Sequence, residues 1–323
     1  MPLRAALCGG TGAHDAFLMH LATTVDLTRR GLLRYPVNLA SPGPGRAIRG
    51  TLVGVQEEGY DVDLDEATAQ DLNRIFDRAT EWRERVNTLP DAPSEGSSLA
   101  GDDRATTPYQ LSHAVNLALF SAVDHIDALR SMIAIAGVIH SHAPFTLIRA
   151  AIENAATAVW LLAPRGRDER VLRRLRLQWA DFADADQVWP KEAKPDEQFL
   201  SAKKEHLQGL GRARGLSKVQ ISQIAARAVS YNSIVATAGA EGRSLTKELA
   251  LVPWQVSSGI AHAKPWATLA LLDHDEIQAA AEGVLNLRVT APNWGLLMLA
   301  QIAANMIHDG WILYDERRTA AYR

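Results

Sequence analysis

The chain has 323 residues, 47% of them hydrophobic and 22% charged, and a formal net charge of −3. That balance describes a globular protein able to bury a large core in one or two domains, with no global field for nucleic acid or anionic membrane. The single cysteine, Cys8, excludes an internal disulfide and a cysteine-based zinc site. The N-terminal sequence lacks a basic stretch followed by an apolar run, so no secretory signal is expected and the cytoplasm is the expected location.

Gly9, Gly10 and Gly12 follow a short apolar run. No glycine stands at the following helix start and no βαβ pattern follows, so they read as a glycine turn and not as a dinucleotide fingerprint. Residues 14–33 can form a helix and 36–50, rich in Pro and Gly, cannot. Asp63 or Asp65 caps a long amphipathic helix to about Val86, with Leu72, Ile75, Phe76, Ala79 and Trp82 on one face. Residues 89–107, LPDAPSEGSSLAGDDRATT, read as a flexible linker that closes an N-terminal region, 1–107.

From 108 to 323 helices follow one another over about 108–139, 144–163, 167–188, 197–209, 216–237, 253–263, 265–272, 273–287 and 292–316. Pro108, Pro144, Pro253, Pro265 and Pro292 stand at or near predicted first positions, where the missing N–H costs nothing. The expected architecture is therefore all-α, a multi-helix bundle with the N-terminal helices packed on it.

The segment 144–163 is apolar nearly all round, yet Thr146, Arg149, Glu153 and Thr157 share one stripe. Burial requires that charge to be paired inside the protein. Its length suits a membrane span, but Arg149, Glu153 and Asn154 near its centre argue against one. Gln301, Asn305 and His308 line the last helix, and His113, Asn116, Asp124 and Asp127 the helix from 108, with His125 at its apolar edge. These stripes suggest a shared polar interior.

In PWQVSSGIAHAKPW, Ser258 and His262 lie four apart on one helix face. His262 is then a general base or a ligand, or else a buried residue closing the helix before Pro265 with Gly259 allowing close packing. No nucleophile elbow surrounds Ser258. His125, His140, His142 and His262, with Glu153 or Asp124, supply metal-ligand atoms, but neither Glu-x-x-His nor His-Glu-x-x-His is present, so no metal and no cofactor is expected.

Six arginines, among them Arg167, Arg170, Arg173 and Arg174, crowd the start of the helix from 167, while Asp181, Asp184 and Asp186 close it. That order opposes the helix macrodipole, so it points to tertiary partners, an acidic protein surface or RNA phosphates, with a solvated face as the plain alternative.

AVDHIDALR (122–130), APFTLIRAAIENAATAVWLLAP (143–164) and WQVSSGIAHAKPW (254–266) together resemble a group of actinobacterial helical proteins of unknown function, over roughly residues 110–320. The resemblance implies a helical fold and brings no activity. Helical bacterial families of this look are compared with HEPN ribonucleases, whose chemistry needs an Arg followed by a His after four to six residues. No His in this chain is preceded in that way, so the comparison stays at the level of fold.

The leading expectation is a cytoplasmic helical binding or regulatory module whose polar interior, Arg149, Glu153, His262, Asp124, His125 and His308, fixes the fold or holds a small polar ligand. The alternatives are an RNA-directed nuclease using His262 and Arg149, with Ser258 and Glu153 as further candidates, and a metal-dependent hydrolase. The two apolar helices also offer surface for a homodimer.

Overall fold

The computed structural model describes residues 64–88, 92–188, 198–226, 229–281 and 284–320, and over 274–281 and 284–288 the backbone alone. The glycine turn near Gly10, the helix at 14–33 and the break at 36–50 lie outside the described residues. Eleven α-helices run through the described residues: α1 Glu66–Asn87, α2 Ser98–Thr106, α3 Leu111–Arg130, α4 Ala143–Leu162, α5 Arg167–Val188, α6 Phe199–Arg214, α7 Lys218–Gln223, α8 Tyr231–Glu241, α9 Lys247–Ala261, α10 Pro265–Leu271 and α11 Asn293–Arg318. The protein is an all-α multi-helix bundle, and its one sheet among the described residues is a hairpin, β1 Asp273–Ala281 and β2 Val284–Thr290.

α4 is the axis of the bundle. It packs against α3, α11, α8 and α9, and its buried residues run from Pro144 to Leu162 with Ile148, Ile152, Ala155 and Val159 fully enclosed. Small side chains at Ala151, Ala155 and Ala158 let four neighbours approach one helix, and each large aliphatic residue there contributes about 2–3 kcal/mol of burial. α4 and α11 are long and apolar enough to cross a membrane by length and composition, with 67% and 72% of their most apolar stretches buried against other helices. Most of their apolar surface is thus used inside the fold.

α1 begins at Asp65, whose carboxylate accepts from Thr68 N at 2.9 Å and Thr68 Oγ1 at 2.6 Å; these hydrogen bonds hold it below the usual carboxylate range. Its face of Leu72, Ile75, Phe76, Ala79 and Trp82 joins the main core, as does Leu99 of α2. The segment read as a flexible linker is corrected here: over Ser98–Thr106 it is a helix, capped by Ser97, with Asp102 completely buried. The polar composition that suggested a linker belongs instead to a buried ionic contact.

Two further departures concern α9 and the hairpin. α9 starts six residues before Pro253, at the Thr246 cap, and takes the proline into its interior. The segment expected as a helix at 273–287 is an antiparallel pair with register Asp273↔Thr290 and irregularities between Glu276 and Gln278 and between Ala279 and Ala281. In β2 the alternation of Leu285, Leu287 and Val289 with Asn286 and Arg288 is a period-2 pattern, short enough to be lost beside the helical patterns around it.

Candidate functional site

The Arg149–Glu153 stripe is half-buried, not sealed: the side chains are 25% and 15% exposed. Arg149 Nη2 meets Glu153 Oε2 at 3.0 Å, and the Trp254 indole N–H of α9 donates to the same oxygen at 3.0 Å. Arg149 Nε is shielded from solvent without a hydrogen-bond partner. Tyr231, the first residue of α8, stands beside this pair. Burial pushes its phenol up, the Glu153 and Asp184 carboxylates push in the same direction, and Arg149 opposes them.

The other residues expected in a shared interior do not converge. His262 is exposed at the C-terminal cap of α9, eight residues past Trp254 and so about 12 Å further along the helix. It is neither the buried helix closer nor a partner of Arg149. Gly259 does serve close packing: a Cβ there would lie 2.5 Å from Ala267 Cβ. Ser258 is half-buried, while its neighbour Ser257 is fully buried with no partner for its hydroxyl. Asp124 is exposed on α3 and His125 half-buried there. His308 of α11 is held below the ordinary imidazole value by burial and then by Arg78, with Asp309 opposing. Among the described residues, no three His, Cys, Asp or Glu side chains gather as a metal site.

Three of the four arginines expected as a basic patch turn inward, while Arg167 stays partly exposed. Arg170, Arg173 and Arg174 are 1%, 8% and 7% exposed. Arg170 meets Asp102 of α2 through Nε at 2.7 Å and Nη2 at 3.0 Å, and donates to Ser98 Oγ, Pro164 O and Arg165 O. Arg167 adds a contact to Asp102 at 3.1 Å. Arg173 bridges Glu241 and Glu169 and donates to Trp160 O at 2.8 Å. Burial opposes its charge, but the hydrogen bonds it donates to Glu241 and Glu169 outweigh that and raise its pKa. Arg174 donates to Gln178 Oε1 at 2.7 Å, and burial pulls its pKa down to about 10 despite Asp181, Tyr109 and Asp103.

The inverted charge order now has a cause. Arg173 holds Trp160 O, Arg317 of α11 holds Leu162 O and Pro164 O, and Arg170 holds Pro164 O and Arg165 O. These carbonyls form the C-terminal end of α4 and the turn after it, the negative pole of that helix. The arginines near the start of α5 complement the dipole of α4.

Beside this corner, α4, α5 and α8 border an open polar cavity of about 340 Å³ lined by Trp160, Glu169, Arg173, Arg176, Val229, Ser230, Ser233 and Thr237, with Ser230 and Ser233 exposed at its rim. Arg176 differs from its neighbours in the run. It is half-buried with Nε shielded, and among the described residues it has neither an ion-pair nor a hydrogen-bond partner. Ser230, Ser233 and Thr237 form a hydroxyl row on one face of α8; Ser230 Oγ accepts from Ser233 N at 3.3 Å as the helix cap and keeps its O–H free to donate.

Sequence reasoning did not single out this cavity, nor Asp102 or Trp254. The signals were a Ser/Ser/Thr row at positions i, i+3 and i+7 and one arginine, Arg176, one turn past the paired ones. The chain matches no family model, no curated protein and no solved structure.

Proposed function

We propose that this chain is a cytoplasmic helical binding module whose ligand site is the cavity between α4, α5 and α8, holding a small polar molecule. The observation that carries this reading is Arg176. Arg165 lies exposed before α5, and within the helix Arg167, Arg170, Arg173 and Arg174 are each matched by a partner, whereas Arg176, half-buried and unmatched among the described residues, lines a cavity that also carries a row of hydroxyls. A half-buried guanidinium without a partner forfeits hydrogen-bond energy that a ligand can restore. The volume lies at the small end of the range for ligand pockets.

The nuclease and hydrolase readings have no such support, because His262 is remote from Arg149 and no ligand cluster forms among the described residues. The test is a ligand-observed NMR screen of small polar compounds on the full chain. Hits are expected to lose binding in Ser233→Trp, which fills the cavity from an exposed position with α8 intact. A library without hits, or hits that bind Ser233→Trp equally well, would overturn the reading.

A further inference from the structure

The geometry points to a ligand class for this cavity: a small monocarboxylate with an apolar or aromatic body, its carboxylate on Arg176 and the Ser233 and Thr237 hydroxyls. This rests on the reading of the cavity as a binding site. Three observations support it. First, Arg176 has no ion-pair or hydrogen-bond partner among the described residues and its Nε is shielded from solvent, so its guanidinium can bind a carboxylate through two parallel hydrogen bonds, and the hydroxyls of solvent-exposed Ser233 and half-buried Thr237 line the same site.

Second, the local charge sets the charge of the ligand. Arg173 already faces two carboxylates, Glu241 at 2.7 and 3.0 Å and Glu169 at 2.8 Å. With Arg176 the four charges cancel. A monoanion leaves a single negative charge in the site, whereas a phosphate dianion leaves two beside Glu169, and repulsion between charges a few ångströms apart grows in a partly desolvated cavity. Third, Trp160 and Val229 are among the lining residues, the Trp160 ring carrying the Arg173 guanidinium 5.3 Å from its centroid, so the body attached to the carboxylate has some apolar surface to lie on.

Benzoate and its neutral isostere benzamide, titrated into the full chain with and without inorganic phosphate at pH 8, test this assignment. Benzoate is expected to bind about tenfold or more tightly than benzamide, the worth of one charged hydrogen-bonded contact. Arg176→Gln abolishes that preference, Arg176→Lys keeps part of it, both variants melt like the parent, and phosphate does not displace benzoate. Equal binding of the two probes, unchanged benzoate binding in Arg176→Gln, or phosphate competing as well as benzoate would each overturn the assignment. If benzoate fails while other compounds still bind in a manner lost in Ser233→Trp, the carboxylate assignment falls and the cavity reading stands; if nothing binds, both fall.

Discussion

Arg170 and Arg176 stand six residues apart on α5 and meet opposite surroundings, one enclosed by a carboxylate and three oxygens, the other left facing a cavity. Composition treats them alike; only the residues across from them separate the two. A second titratable residue is set apart in the same way. His308 titrates below 6.5 in the folded protein because burial and Arg78 disfavour its cation. Unfolding frees it to take a proton, so the unfolded state binds more protons below that value. Its contribution to stability is complete above about pH 6.5, declines as the pH falls from there towards the folded value, and then levels off. Thermal melting across about pH 7 to 5 is expected to lose part of its slope in His308→Gln. An identical slope in the variant would remove His308 from the acid response.

Among the elements, α2 depends most on a single contact. Its Asp102 is buried at 0% exposure against Arg170 of α5, and Gly101 beside it leaves the space that the Arg167 guanidinium occupies. Arg170→Met strands that carboxylate with Arg167 alone and is expected to cost about 3–5 kcal/mol. Arg174→Met strands the Gln178 amide oxygen and gives up a long contact to Gln110 O, removes a charge that burial already disfavours, and is expected to cost roughly 1–2 kcal/mol. Adding Asp102→Leu to Arg170→Met should restore much of the loss. Denaturant titration of the set decides it: equal costs for the two single variants, or no recovery in the double, would contradict the account. Most elements were legible in sequence because their apolar periodicity is long, as in α1, α4, α5 and α11. α2 was not, since its nine residues carry one large buried aliphatic, Leu99, among linker-like polar ones. At the α8–α9 crossing Gly239 would place a Cβ 2.5 Å from Thr246 O, a close approach no periodicity announces.

On the scale of the molecule, the sequence located the centre of the fold better than its site. The all-round apolar α4 is the axis, as its composition implied, and its ion pair is matched by Trp254. The cavity lies past the C-terminal end of that stripe, at Trp160. It arises because three helices fail to close over one guanidinium, and such a gap depends on helix angles and on which acids reach which arginines. Arg173 has two acids within reach, Glu169 four residues before it and Glu241 from α8, and Arg176 has none. The sequence shows the local acid and hides the distant one.

The corner between α4 and α5 also bears on where the chain tolerates being cut or extended. Arg165 and Gly166 are exposed and polar, the usual profile of an insertion site. Yet the carbonyls of Trp160, Leu162, Pro164 and Arg165 are held by Arg173, Arg317 and Arg170. A short Gly/Ser insertion after Arg165 is therefore expected to unfold the protein or depress its melting sharply, while the same insertion after Gly137, an exposed glycine at φ 65° with open space around it, is expected to be borne. Soluble yield and melting temperature of the two insertions compare them directly, and equal tolerance would show the corner to be an ordinary loop. Surface exposure of a turn says who can reach its side chains; here the main-chain oxygens answer to the interior.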